Sequence, residues 1–431
     1  MKLNLPKAVV CIRRDDKVIF FNADIPSWVV TDSKGERILS LCNGTMDRDE
    51  ITTLFEEFYD KQAAEKVGRF LDYCIAVRLF EIPTEGSIPI LRNDGILNIV
   101  QFSISRKCNL NCKYCYATDR VESKFPPMSM SDYIRVVNEI LDISSSVKFT
   151  LTGGEPLLNK DCLKIAQYIK SKGNYVDLLT NAVLINEPMA DQIKDVFDRV
   201  TISMDGSTKV LHESFRGHNT YDITSRNIEM LLSKGVDTYL SMTVNRLNIH
   251  DVPNMAKKYG NLLSFAPLFP AGNARNLETD ISISGKDYYK ALSEADGVNP
   301  LSYCESSLDN SQICRNCKCA IGDSSLSISS TGDVYPCQLL HYEDFYIGNI
   351  HESSIQDLYF NSSIVEKCRH LTVDNIEGCS DCFLRYVCGG ACRARAYHEC
   401  GNIFKSGNFC EYEKNAFIDG LLNIYSKNIF D

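Results

Sequence analysis

The chain has 431 residues, 44% of them apolar and 24% charged, with a formal net charge of −10. That length predicts two or three domains. No apolar run reaches the roughly eighteen residues that cross a bilayer, and the acidic balance counts against nucleic acid as the main partner, because phosphate binding leans on Lys and Arg.

The first stretch, MKLNLPKAVVCIRRDDKV, is too briefly apolar for a signal peptide. A cytoplasmic protein with no membrane partner is expected. KAVVCIRRDDKVIFFNA reads as two β-rich runs around the charged break Arg13 to Lys17, hence a hairpin. A further strand-like run, SWVVT, and three helical patterns follow. Thr31 or Asp32 can cap SKGERILSLC, and Gly44 stands where a C-terminal glycine stop belongs. Asp47 and Glu50 have capping-box spacing ahead of ITTLFEEFY. The third pattern, AAEKVGRFLDYCIAVRLF, repeats apolar residues at helical spacing. Pro83 to Gly95 reads as a linker, so residues 1–85 are expected to form one domain.

From Leu97 the pattern alternates strand and helix. Strand-like runs occur at LNIVQFSI, VKFTLTG, YVDLLTN, RVTISMD, TYLSMTVN and LLSFAPLF. Between them lie amphipathic segments such as Tyr133, Val136, Val137, Ile140 and Leu141, one helical face. Six such units over residues 96–300 imply an α/β fold with a parallel sheet, an open wound sheet or a partial barrel, and both put the active site at the C-terminal strand ends. From residue 301 to 431 short strands, turns and many cysteines suggest a small metal-held domain.

The chain holds nineteen cysteines. Cys11, Cys42, Cys74 and Cys162 stand alone in apolar patterns and read as small core residues. The others are clustered, which in a reducing compartment points to metal rather than disulfides. Cys108, Cys112 and Cys115 form C-x3-C-x2-C just after the first strand of the alternating region. Zinc sites prefer four protein ligands, usually as two separated pairs. Three crowded thiolates suit a cubane iron–sulfur cluster with one iron left open for another ligand.

C-x3-C-x2-C after the first of six β/α units resembles the radical S-adenosylmethionine superfamily. The resemblance implies a partial (β/α)6 barrel and a 4Fe–4S cluster on Cys108, Cys112 and Cys115. It also implies S-adenosylmethionine chelated to the open iron, and a 5′-deoxyadenosyl radical that abstracts a substrate hydrogen. TGGEP, with Gly153, Gly154 and Glu155, is similar to the family motif that meets the methionyl amino group. Ser203 and Asp205 in ISMDG are implied for ribose hydroxyls or the carboxylate, Arg216 in FRG for the carboxylate, and Tyr114 for the adenine. Thr180 and Asn181 end the third strand in the same way.

The late cysteines resemble the seven-cysteine SPASM domain: Cys319, twelve residues, Gly332, four residues, Cys337, then Cys379-x2-Cys382-x5-Cys388-x3-Cys392 and Cys410. The resemblance implies two auxiliary 4Fe–4S clusters, three clusters in all. Cys379, Cys382, Cys388 and Cys410 would hold the second. Cys319, Cys337 and Cys392 would hold the first, with a fourth ligand at Cys314 or Cys317, Cys304 being less suited. Cys314 is expected, because five residues of chain let a loop double back, while Cys317 stands two positions from Cys319. Cys368 and Cys400 fit no slot.

The N-terminal hairpin, SWVVT and three helices resemble the small peptide-binding domain of pyrroloquinoline quinone biosynthesis, which is winged-helix-like. VTDSKGERILSLCNGTMDRDEITTLF carries that resemblance. It implies a domain that takes a precursor's leader as an added strand. The expected function is therefore radical modification of a ribosomally made precursor peptide, forming a thioether or other side-chain cross-link, with flavodoxin or ferredoxin as electron donor. Peptide epimerisation and formylglycine formation, as in sulfatase maturases, are the alternatives. Sulfatase maturases place an Asp after the cysteine matching Cys337, where this chain has Gln338, an amide that cannot act as a base near neutral pH.

Overall fold

The computed structural model describes residues 1–91, 96–277, 281–298 and 313–424. Cys304 and the end of the expected linker lie outside the described residues.

At the N-terminus, strands β2 (Val9–Arg14), β3 (Lys17–Asn22) and β4 (Ser27–Thr31) form an antiparallel sheet in that order. Arg14 pairs with Lys17 across the expected hairpin break. Helices α1 (Ser33–Ser40), α2 (Arg48–Phe58) and α3 (Lys61–Ala76) follow. Asp32 is the first N-cap, and Asp47 with Glu50 closes a capping box on α2. The expected stop at Gly44 does not occur. Helix α1 ends at Ser40 with Leu41 as its C-cap, and Gly44 (φ +87°) lies inside strand β5 (Asn43–Asp47), which pairs with β1 (Lys2–Asn4). Leu5 N donates to Cys42 O, so pairing with the first residues draws the chain into a strand directly after the helix.

The β2–β4 sheet is covered on both faces, and the period of two sorts its residues. Val18, Phe20 and Val29 pack with Ile38, Phe70 and Leu71 of the helices. Ile19, Phe21, Trp28 and Val30 pack instead with Leu384, Val387, Phe417 and Leu421 from the C-terminal region. Phe21 meets Phe383 edge-on at 5.7 Å, and Asp24 pairs with Arg385 at 2.9 Å. The N-terminal unit is thus docked on the cysteine-rich unit through an apolar face, not merely tethered by a linker.

The alternating region gives six parallel strands, β6 (Ile99–Ser105), β7 (Lys148–Gly153), β8 (Tyr175–Thr180), β9 (Arg199–Ser203), β10 (Thr238–Val244) and β11 (Leu263–Pro267), each paired with the next. Helices α4 (Met130–Ile143), α5 (Cys162–Ser171), α6 (Glu187–Val196), α7 (Lys209–Arg216), α8 (Tyr221–Ser233) and α9 (Val252–Tyr259) connect them. Tyr133, Val136, Val137 and Ile140 are buried against the sheet, as their spacing predicts. This is the partial barrel expected from the sequence. Helix α10 (Gly285–Ser293) leads out of it.

The cysteine-rich region is continuous with the barrel sheet. Strand β12 (Ser325–Ser329) pairs parallel with β6, and β13 (Asp333–Tyr335) and β14 (Gly348–Asn349) extend the sheet antiparallel. Gly332, at φ +82°, makes the β12–β13 turn, where a Cβ would stand 2.4 Å from Ile350 Cγ1. Helices α11 (Ile355–Asn361), α12 (Ser363–Arg369), α13 (Arg385–Cys388), α14 (Arg393–Cys400) and α15 (Cys410–Ile424) follow among the described residues. Among the described residues, no helix is long and apolar enough to cross a membrane.

Candidate active site and cysteine clusters

The loop after β6 carries Cys108, Cys112 and Cys115, and the end of β7 supports it from below. Gly154 N donates to Ser105 O at 2.7 Å, and Glu155 N donates to Lys107 O at 2.9 Å. A Cβ at Gly153 (φ +137°) would stand 2.4 Å from Ser105 O, and one at Gly154 would stand 2.4 Å from Lys107 O. Backbone meets backbone here, which glycine alone permits. The approach these glycines allow is toward the cysteine loop itself. Gly154→Ala is therefore expected to displace the loop and weaken S-adenosylmethionine binding by ~10-fold or more, about 1.4 kcal/mol. Equilibrium binding to reconstituted protein checks this, and unchanged affinity would contradict it.

The other strand ends close around the same loop. Glu155 is fully buried, accepting from Thr180 Oγ1 (2.7 Å), Asn181 N (2.9 Å) and Leu157 N (3.1 Å). Burial raises its carboxyl while these donors pull it back. A carboxylate offers about four acceptor sites, so one is left for an ammonium group. Asn181 Nδ2 donates to Asn109 Oδ1 at 2.9 Å, beside Cys108.

Asp205 is also fully buried. Its carboxylate accepts from Tyr114 Oη and Arg216 Nε, and from Thr243 N at 2.8 Å. His212 Nδ1 accepts from Asp205 N at 3.3 Å, as a neutral ring whose pKa burial and Arg216 drive to about 3. Tyr114, Asp205 and Arg216 therefore form one buried hub under the loop, and Lys113 N donates to Phe215 O to join it. Arg216 has an internal carboxylate partner already. Ser203 stands half-buried at the end of β9.

Sequence reasoning missed the closure after β11. Gly272, at φ +57°, runs against Cys115 O, which a Cβ would approach to 2.2 Å. Asn273 N donates to Cys115 O (2.9 Å), and Asn273 Nδ2 donates to Cys112 O (3.1 Å). Neighbours in sequence gave no signal of this, since Gly-Asn reads as an ordinary turn. Asn273→Ala removes one hydrogen bond, worth about 1 kcal/mol, and is expected to speed loss of the first cluster in air roughly threefold, read from the decay of iron–sulfur absorbance. An unchanged decay would contradict the clamp.

Partial burial raises the Cys108 thiol and burial pushes Cys112 up to about 11; Cys115 adds to both rises, and Cys108 to that of Cys112. Metal binding must therefore displace protons, and loading weakens as pH falls. Tyr116, the residue after Cys115, is raised by burial and feels both Cys115 and Cys337. The first loop and the cysteine-rich region thus face each other across this ring. Arg120 Nη2 donates to Tyr116 Oη (3.2 Å) and to Gln338 O (3.1 Å).

In the cysteine-rich region the β12–β13 hairpin brings Cys319, before it, next to Cys337, after it. Gly322 N donates to Pro336 O at 3.1 Å across the gap. Burial raises the Cys337 thiol strongly, with Cys392 and then Cys319 adding to the rise. Cys392 is the N-cap of α14, where backbone N–H groups favour a thiolate against the burial that raises it. In the second set, burial pushes Cys379 up to about 11, with Cys410 and Cys382 contributing. Cys379, Cys388, Cys392 and Cys410 line one small cavity with Gly390 and Gly407. Among the described residues, no three His, Cys, Asp or Glu side chains converge as ligands of a single ion. Four of the late thiols instead line that one cavity, and soft thiolates in such sets fit iron–sulfur clusters.

Residues 102–259 match the Radical SAM superfamily profile, and residues 319–383 match the SPASM profile, an iron–sulfur cluster-binding domain. Among curated relatives, an AdoMet-dependent heme synthase of Oleidesulfovibrio alaskensis is 25% identical, covering 76% of this chain and 91% of the relative. The antilisterial bacteriocin subtilosin biosynthesis protein AlbA of Bacillus subtilis is 25% identical, covering 75% of this chain and 72% of the relative. Among solved structures, native anSMEcpe with bound AdoMet superposes with a TM-score of 0.61 at 21% identity, covering 76% of this chain and 98% of that one. Streptococcus suis SuiB bound to the precursor peptide SuiA superposes with a TM-score of 0.57 at 14% identity, covering 95% of this chain and 99% of that one.

Proposed function

From a chain that carries a radical S-adenosylmethionine domain and an iron–sulfur SPASM domain, we propose an enzyme that modifies a ribosomally made precursor peptide by forming a thioether or other side-chain cross-link. The observation that carries this reading is the N-terminal unit, a three-stranded sheet with three helices docked on the cysteine-rich region. The fold likeness to SuiB covers 95% of this chain, so it takes in most of that unit, and SuiB binds a precursor peptide. The likeness to anSMEcpe covers 76%. AlbA serves subtilosin biosynthesis, which agrees with a peptide product.

In this reading residues 1–85 bind the leader, residues 96–300 hold the radical site, and residues 301–431 hold two auxiliary clusters. Cys108, Cys112 and Cys115 hold the first 4Fe–4S cluster. With S-adenosylmethionine bound there, the site supplies a 5′-deoxyadenosyl group that takes a hydrogen atom from the peptide. Glu155 offers its remaining acceptor site to the methionyl ammonium. Tyr114 shapes the adenine site, and Asp205 fixes Tyr114 and Arg216 in place. Thr180 and Asn181 hold Glu155 and the cysteine loop in register, and Ser203 is left for a ribose hydroxyl. Closing a thioether releases a proton and one electron. Cys319, Cys337 and Cys392, and Cys379, Cys382, Cys388 and Cys410, would hold the auxiliary clusters, whose redox chemistry would offer a sink for that electron. A flavodoxin or ferredoxin would deliver the reducing electron.

The test is anaerobic incubation of reduced protein and S-adenosylmethionine with the full-length peptide encoded by a short Cys-rich reading frame beside the gene. A product lighter by two hydrogens supports a cross-link. Deuterium uptake from solvent at unchanged connectivity would instead indicate epimerisation. Conversion of a cysteine to formylglycine would overturn the reading in favour of sulfatase-maturase chemistry, and Gln338 beside Cys337 argues against that outcome.

A further inference from the structure

Helix α14 opens on Arg393, directly after its N-cap Cys392, and that arginine is 1% exposed. Its Nη1 donates to Ile403 O (3.0 Å) and Lys405 O (2.8 Å), and its Nη2 donates to Gly390 O. All three partners are neutral carbonyls. Among the described residues no carboxylate forms an ion pair with this guanidinium, and its buried Nε has no hydrogen-bond partner. Arg395, two residues on, differs, since it pairs with Glu399 at 3.3 Å.

Two costs meet at Arg393. A full charge taken out of water is strongly disfavoured unless an opposite charge stands near it. A cation in the first turn of a helix also faces the positive end of the helix dipole. The carbonyls hold the guanidinium in place but do not neutralise it. The protein's own groups leave this charge unbalanced, so the position suits an anionic neighbour.

The adjoining cavity is where such a neighbour fits. Arg393 lines it together with Cys379, Cys388 and Cys410, three of the four thiols read as ligands of the second auxiliary cluster. Four thiolates leave even an oxidised cubane with a net negative charge, and one added electron makes it more negative. Arg395 and Glu413 also line the cavity, but Arg395 is already balanced by Glu399, and Glu413 forms no ion pair with Arg393.

We propose that Arg393 is the fixed counter-charge of the second auxiliary cluster and raises its reduction potential. A nearby cation stabilises the reduced cluster, with its extra negative charge, more than the oxidised one. Burial keeps water from screening that attraction, and the three carbonyl contacts keep the side chain from swinging away. In the reaction proposed above, one electron passes from the closing bond to the cluster. It leaves again to an oxidised one-electron carrier of the flavodoxin or ferredoxin class. Arg393 makes the first of these transfers more favourable.

The inference rests on the reading of Cys379, Cys382, Cys388 and Cys410 as cluster ligands, which the experiment tests separately. Joint replacement of Cys379 and Cys382 by Ala should remove about four irons and one EPR signal from reduced, anaerobically reconstituted protein. Unchanged iron and spectrum would sink that reading itself. The signal so identified is then titrated against applied potential in full-length wild type, Arg393→Gln and Arg393→Lys. Arg393→Gln is expected to raise the ratio of oxidised to reduced second cluster about tenfold at a fixed potential, a midpoint lower by about 59 mV. The other two clusters should not move, and Arg393→Lys, which keeps the charge, should stay near wild type. An unmoved midpoint in Arg393→Gln, or an equal shift in both variants, overturns the proposal, because a side chain that only packs would act through its shape. Should either variant fail to hold the cluster, a crystal structure of the wild-type holoprotein decides. A second cluster closer to the Arg393 guanidinium than to any carboxylate supports the proposal, and one closer to Glu413 or another carboxylate overturns it.

Discussion

Joint replacement of Cys108, Cys112 and Cys115 by Ala is expected to remove about four of about twelve irons and to abolish 5′-deoxyadenosine formation, with the fold retained. The three thiols lie on a loop that contributes little to the core. Cys108 is exposed, and Cys112 and Cys115 are partly so. The loop is held instead by backbone contacts that the substitutions leave alone. Ser105 O and Lys107 O accept from the Gly154 and Glu155 N–H groups, and Cys115 O accepts from Asn273 N. No thiol takes part in these bonds, so circular dichroism and the auxiliary-cluster spectra should match wild type. The loss of turnover should be complete, because the 5′-deoxyadenosyl group has no other source. Iron content and product analysis by chromatography check both parts. Residual 5′-deoxyadenosine above the reagent blank would contradict the assignment.

Removing the leader from the precursor is expected to slow its modification by ~100-fold or more, about 2.7 kcal/mol of lost binding, while 5′-deoxyadenosine formation without peptide stays at its basal rate. The change belongs on the peptide rather than on the enzyme. Deleting residues 1–85 would remove Ile19, Phe21, Trp28 and Val30 from the face that covers Leu384, Val387, Phe417 and Leu421. It would also unpair Arg385 from Asp24. Such a truncation uncovers an apolar patch and invites aggregation, and a lost activity there would have two causes. The leaderless peptide leaves that interface intact. Leader supplied as a separate peptide should compete with the full-length precursor for binding. Equal rates with and without leader would refute the leader-binding role of the N-terminal unit.

Much of this was legible in the sequence, for physical reasons that particular residues show. The six barrel strands announce themselves as apolar runs because a parallel sheet is buried on both faces; Phe102, Phe149 and Leu178 are all fully buried. Capping at Asp32 and Asp47 was readable because it is local. The Gly44 stop failed because pairing with the first residues of the chain, Lys2 to Asn4, is a tertiary contact that overrides a local signal. At the site, the cysteine spacings and TGGEP were readable as motifs, but who holds whom was not. Asn273 reaches Cys112 and Cys115 from the turn after β11, far away in sequence. Arg216, read as a ligand for the cosubstrate carboxylate, is met by Asp205 inside the protein. A motif names residue types at strand ends and leaves their mutual pairing to the fold.

The central claim is radical chemistry at the C-terminal edge of the barrel, directed at a peptide. Its most direct test is one anaerobic reaction of wild-type, cluster-loaded and reduced protein with S-adenosylmethionine and the full-length precursor, in which 5′-deoxyadenosine and the peptide mass are followed together. The account predicts 5′-deoxyadenosine formed in proportion to peptide that has lost two hydrogens. Fully loaded and reduced protein that forms no 5′-deoxyadenosine would contradict it.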